Sequence, residues 1–309
     1  MIASVFSKTK PINYLIIGFF IILSFVLYIT NQTDFIFTWV EVLKKAFYLG
    51  VILTSITLVN FISLKNNLTQ NNNYAALLFF IFLLFFPEVF THENILIANL
   101  FLLLALRRLI SLRSMKSIQE KLFDASFWIF LAALFHFWSI FYIILVFISI
   151  ILHVSKEVKN WLIPFIALLS VTIIFFVFNE FFENQLMFFL LNKSYVSFDF
   201  FYFKNTYQNI ALALFAPVAL LFFISHVFTI SQKPLNLQSS YKKVLFSFVL
   251  GIGIFILSAN KNNSYLAFSL APLAIIGANF IEDLKINWMK EVTVYLLLFL
   301  SVFLFIMQL

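Results

Sequence analysis

The 309-residue chain is 63% hydrophobic and 11% charged, carries a formal charge of +7 and contains no Cys. Soluble domains carry roughly 25% charged residues, so the composition excludes an ordinary soluble domain, and the lack of Cys excludes disulfides, thiolate metal sites and a Cys nucleophile. The positive charge sits in short loops between apolar runs, which points to a membrane surface and away from nucleic acid.

Met1–Lys10 is short, basic and free of acids, and the apolar run Ile12–Ile29 follows without a small-residue cleavage motif. This predicts a retained first span with a cytoplasmic N-terminus. The second span is expected over Ala46–Leu64, after a short external loop carrying Asp34 and Glu41. Lys65–Asn73 is a polar loop of Asn and Gln. Spans 3 and 4 are expected over Tyr74–Phe90 and Ile95–Ile110, and Arg107–Lys121 forms a basic segment suited to anionic headgroups.

Phe123–Val154 would make a helix of roughly 48 Å, well beyond a hydrocarbon core of about 30 Å. It is either one strongly tilted span or two shorter helices hinged at His136–Ser139. The paired reading leaves 15 Lys and Arg in cytoplasmic segments and 5 outside; a single crossing gives 11 and 9. The positive-inside rule therefore selects the pair. Later spans are expected over Trp161–Phe178, Ile210–Ile230, Val244–Ala259, Tyr265–Ile281 and Val292–Met307, with an external interfacial loop at 179–209 rich in Phe and Tyr. The fold class is thus an all-α polytopic membrane protein, a single multipass domain of about eleven transmembrane or re-entrant helices.

Ionisable groups near a bilayer are costly, so each invites a functional and a structural explanation. Glu88, His92 and Glu93 form a carboxylate–imidazole–carboxylate group able to serve as a general base or to bind a divalent cation; the plain alternative is a wet interhelical turn. Asp34 and Glu41 are spaced to share a helix face, although an Asp after Asn-Gln-Thr also suits a helix cap. His136 lies in the interruption and suits a hinge that satisfies a freed backbone group. In the turn Asn260–Tyr265, Lys261 could hold a phosphate or simply belong to a polar turn.

Three features resemble the GT-C membrane glycosyltransferases. Glu93–Arg107 is similar to their acidic loop entering a helix, Phe123–Val154 to their paired short helices, and Lys261–Ala274 to their late segment running from a basic residue through Tyr to Pro. The opening Phe6–Asn13 also resembles multipass proteins of Bacteroidetes bacteria. The GT-C resemblance implies transfer of a sugar from a polyprenyl-phosphate carrier at the outer face of the bacterial inner membrane, in envelope glycan assembly. It implies Asp34 and Glu93 as the acids and Lys261 as a contact to the carrier phosphate, with Tyr265, His92 and Glu88 lining the same site. Two departures stand out: the first external loop is short, and the family's Asp-Glu pair is absent. A non-catalytic scaffold for envelope biogenesis or secretion is the second reading, and a transporter the third.

Overall fold

In hydrocarbon a backbone amide finds no water, so a spanning chain must pair its own polar groups, and helices do this within one segment. The computed structural model describes residues 2–31, 38–155, 157–181, 187, 190, 194–197, 206–259 and 261–309, and among these no strand occurs. The α-helices are α1 (Ile2–Phe6), α2 (Pro11–Asn31), α3 (Trp39–Lys65), α4 (Tyr74–Phe85), α5 (Glu93–Ser111), α6 (Ile118–Phe135), α7 (Ile143–His153), α8 (Val158–Phe181), α9 (Thr206–Ile230), α10 (Leu235–Leu257), α11 (Ala267–Asp283) and α12 (Asn287–Gln308). Among the described residues eight helical segments are long and apolar enough to cross a membrane, and the chain is a multipass membrane protein. The expected interfacial loop at 179–209 falls largely outside the described residues.

Two helices form the centre. All twelve residues of α4 are buried, and α11, packed along it, is buried at fourteen of its seventeen positions. The peripheral helices present rows of exposed apolar side chains instead, such as Leu169, Ile173 and Phe176 on α8 and Phe299, Phe303 and Ile306 on α12. Such faces are stable only against lipid. Close packing at the centre depends on small residues, as is usual between membrane helices. A Cβ on Gly251 of α10 would lie 2.7 Å from the Phe268 carbonyl oxygen of α11.

Phe123–Val154 is two helices and not one long tilted one. Helix α6 ends where His136 turns extended (φ −139°, ψ 105°), and a 3-10 turn, Phe137–Tyr142, leads into α7. The pair is a hairpin. At the far end of α7, His153 Nε2 lies 3.2 Å from Ser239 Oγ near the start of α10, where Lys243 donates to Leu109 O near the end of α5 (2.5 Å). At the start of α6, Lys121 donates to Ser111 O (2.9 Å). Helix α7 therefore returns to the end from which α6 began.

That end also gathers the N-terminal segment and the Asn-rich loop. Thr9 N–H donates to Asn71 O and Asn73 N–H to Phe6 O; the Tyr241 hydroxyl donates to Leu68 O, and Arg113 to Asn66 O. Glu282 accepts from Gln70 N–H (3.0 Å) and from Asn72 Nδ2 (2.5 Å). Lys65, Arg107, Arg108, Arg113, Lys121 and Lys243 stand here, so one end of the bundle is basic.

The glycine contact is directly testable. Gly251→Ala must push α10 from the α11 backbone and should cost about 1–3 kcal/mol, whereas Gly50→Ala, with nothing within 4 Å of its Cβ, should be neutral or mildly stabilising. Thermal unfolding of the purified protein in detergent reads the difference; equal midpoints would contradict the packing.

Candidate functional site

At the end opposite the basic rim, three helices give way to 3-10 turns: Pro87–Phe90 after α4, Phe137–Tyr142 after α6, and Asn263–Leu266 before α11. Pro87 suits the first of these because it has no N–H to leave unpaired. The first and third turns touch. Between them and the α6 end lies a cavity of about 320 Å³, walled by His92, Glu93, Phe135, His136, Asn262 and Tyr265 among others. Glu93, His92 and Tyr265 line this one cavity.

Glu93 occupies the first turn of α5, where a negative charge complements the helix dipole. Its carboxylate is held from α3: Lys44 Nζ lies 3.0 Å from Oε2 and Lys45 Nζ 3.1 Å from Oε1. Helix α3 itself begins at Thr38, whose hydroxyl accepts from Glu41 N–H, so Glu41 serves the start of that helix. Asp34 lies outside the described residues.

His92 Nε2 accepts from Asn262 Nδ2, and Asn262 Oδ1 accepts from the Ser264 hydroxyl, which fixes the amide's orientation. His136 lies deeper. Ser258 Oγ donates to Ile254 O (2.6 Å), so it receives the Nε2–H of His136 at 3.0 Å. The His136 ring packs against Tyr265, with centroids 4.9 Å apart, and stacks on Phe268 at 5.2 Å. The interruption in the sequence thus delivers an imidazole to the cavity wall.

Lys261 is turned inward. It is only 4% exposed, and its ammonium donates to Ser258 O (3.1 Å) and to Ser197 O. It caps carbonyls past the end of α10 instead of facing the cavity mouth. Glu88 stands off this wall: Oε1 accepts from Gln208 Nε2, and the Gln208 carbonyl accepts from Asn263 Nδ2 (3.1 Å). Its Oε2 is buried with no hydrogen-bond partner. Burial pushes the Glu88 carboxyl above the usual range, and the Gln208 hydrogen bond only partly opposes this. Glu88, His92 and Glu93 consequently do not act as one ligand set. Among the described residues no group of three or more His, Asp or Glu could hold a metal ion, so the divalent-cation expectation finds no set of side chains to carry it.

Lys44 and Lys45 complete the site without having been singled out in the sequence. The adjacent lysines at the start of an apolar helix were the one available signal.

Because Glu88 has a raised folded-state pKa, its contribution is fully present below the unfolded value and is lost as pH rises through the folded one. Glu88→Gln keeps an acceptor for Gln208 and removes the buried charge. It should raise stability at neutral pH by on the order of 1 kcal/mol and flatten that part of the pH dependence. Unfolding midpoints of both proteins between acid and neutral pH check this; parallel curves would refute it.

No curated protein matches the chain, and no solved structure does either. The chain belongs to the DUF6427 family, a family of unknown function, whose model matches residues 1–309.

Proposed function

We propose that this protein is a GT-C-like enzyme of the bacterial inner membrane that receives a polyprenyl-phosphate sugar in the cavity beside Glu93. In this reading eleven apolar segments alternate across the bilayer, the basic end faces the cytoplasm with the N-terminus, and the cavity opens to the outer face. The observation that carries it is the clamp of Lys44 and Lys45 on Glu93 at a polar cavity shared with His92, Asn262 and Tyr265. Two ammoniums against one carboxylate leave the site net cationic, which suits a phosphate.

The phosphate role implied for Lys261 passes to Lys44 and Lys45. Lys44, with its side chain 43% exposed, can exchange Glu93 Oε2 for the carrier phosphate. The freed carboxylate then takes the proton of an acceptor hydroxyl. The acceptor oxygen forms its bond to the sugar's anomeric carbon as the bond from that carbon to the phosphate oxygen breaks. Polyprenyl phosphate leaves with the bonding pair, its charge balanced by the lysines. Tyr265 and Asn262 supply ring and amide surface for the sugar.

A second reading, a non-catalytic scaffold, is favoured by a different observation: Glu93, His92 and Lys261 each already have a partner within the protein. The two readings separate in nanodiscs. Lys44→Ala/Lys45→Ala should weaken polyprenyl-phosphate binding about tenfold or more, by the cost of removing charge-assisted contacts. Glu93→Gln should bind as well or better, yet lose on the order of 10²-fold in sugar transfer. Absence of saturable binding by the wild type would leave the scaffold.

A further inference from the structure

Two cavities at the basic end share a wall. The first, about 330 Å³, is lined by Lys65, Arg107, Arg108, Arg113 and Lys121 together with the hydroxyls of Ser111 and Ser114. The second, about 690 Å³, is largely apolar and runs between α2 and α3 along Tyr14, Thr57, Leu58, Phe61 and Leu64. Phe61, Lys65 and Arg107 line both. The Arg107 guanidinium sits over the Phe61 ring at 4.9 Å, on the border of the two spaces.

The cations differ in how they are used. Arg108 is paired with Asp124 at 2.8 Å. Arg113 donates to Asn66 O (3.1 Å), and Lys121 to Ser111 O (2.9 Å) and Ser114 Oγ (2.7 Å). Lys65 and Arg107 have no carboxylate partner among the described residues. A cationic pocket open along one side to an apolar groove fits a molecule with a phosphate at one end and hydrocarbon at the other.

We propose that this paired cavity is a binding site for one anionic glycerophospholipid, its phosphate held by Arg107 and Lys65 and an acyl chain lying in the groove along Leu58, Phe61 and Leu64. The site stands at the opposite end of the bundle from Glu93 and does not depend on the reading given to that cavity. Arg107 is the pivot, because its planar fork can hold phosphate oxygens while its flat face stays on Phe61.

Native mass spectrometry of the full chain released from detergent tests this, with phosphatidylglycerol and phosphatidylcholine of the same acyl composition, and inorganic phosphate, as separate probes. One phosphatidylglycerol should be retained, phosphatidylcholine should bind about tenfold or more weakly, and added salt should weaken retention. The double change Arg107→Gln/Lys65→Gln should abolish the preference between the two lipids. Thr57→Trp, at an exposed groove position, should weaken both lipids while leaving the headgroup preference intact. An unchanged unfolding midpoint without lipid shows that the variants fold. Equal retention of the two lipids by wild type, preference surviving the double change, or inorganic phosphate competing as well as whole lipid would each overturn the proposal.

Discussion

Helix α4 is too short for its surroundings, and the rest of the molecule accommodates that. Its twelve residues rise roughly 18 Å, while the hydrocarbon core of a bilayer is about 30 Å thick. A helix of this length enclosed on all sides brings both of its connections inside the bundle, where every freed backbone group needs a protein partner. At one end the Asn-rich loop supplies these partners, with Asn73 N–H on Phe6 O and Leu68 O receiving the Tyr241 hydroxyl. At the other end Pro87–Phe90 turns in 3-10 form and carries Glu88, with His92 and Glu93 close behind it. The polar cavity is thus a consequence of a central helix that stops short.

The same economy governs the buried lysines. Lys243 is fully buried and Lys261 nearly so, and each places its ammonium on a backbone carbonyl at a helix C-terminus, Leu109 O in the last turn of α5 and Ser258 O after α10. The negative end of the helix dipole and a carbonyl with acceptor capacity to spare together stabilise a cation there. A carboxylate partner would demand burial of a second charge, whereas a helix end already carries acceptors that need donors. These side chains hold elements together, which is why Lys261 makes a poor ligand for an incoming phosphate.

Much of this was legible in the sequence. Apolar runs marked the helices, the excess length of Phe123–Val154 together with Phe-His-Phe-Trp-Ser marked the hairpin, and the Lys and Arg distribution gathered the basic loops at one end. Helix bounds were less so: α3 begins at Trp39 and not near Ala46, and α10 at Leu235 and not near Val244, since hydropathy stops at the first charged turn while backbone hydrogen bonding continues. The GT-C resemblance, and no local pattern, grouped His92, Glu93 and Tyr265, which line one cavity. Their partners were not legible, because Lys45 and Glu93 lie 48 residues apart and His92 and Asn262 lie 170 apart. Whether a lysine faces outward or turns onto a carbonyl depends on tertiary packing that no local pattern records.

The two ends of the bundle balance charge by opposite means. Around Glu93 the balance is internal: two ammoniums at 3.0 and 3.1 Å share one carboxylate, and under the proposed function an anion would enter by exchange for one existing contact. Such exchange costs little net desolvation, since the lysines are partly exposed and a charged partner replaces a charged partner. Around Arg107 and Lys65 the balance is external. No carboxylate of the described chain lines either cavity, and an apolar groove opens beside them, so in the proposed lipid site their counter-charge would come from the membrane surface. An anion at the basic end would then be a resident that completes the structure, and an anion at the Glu93 end a visitor that can leave. That difference follows from the placement of one glutamate.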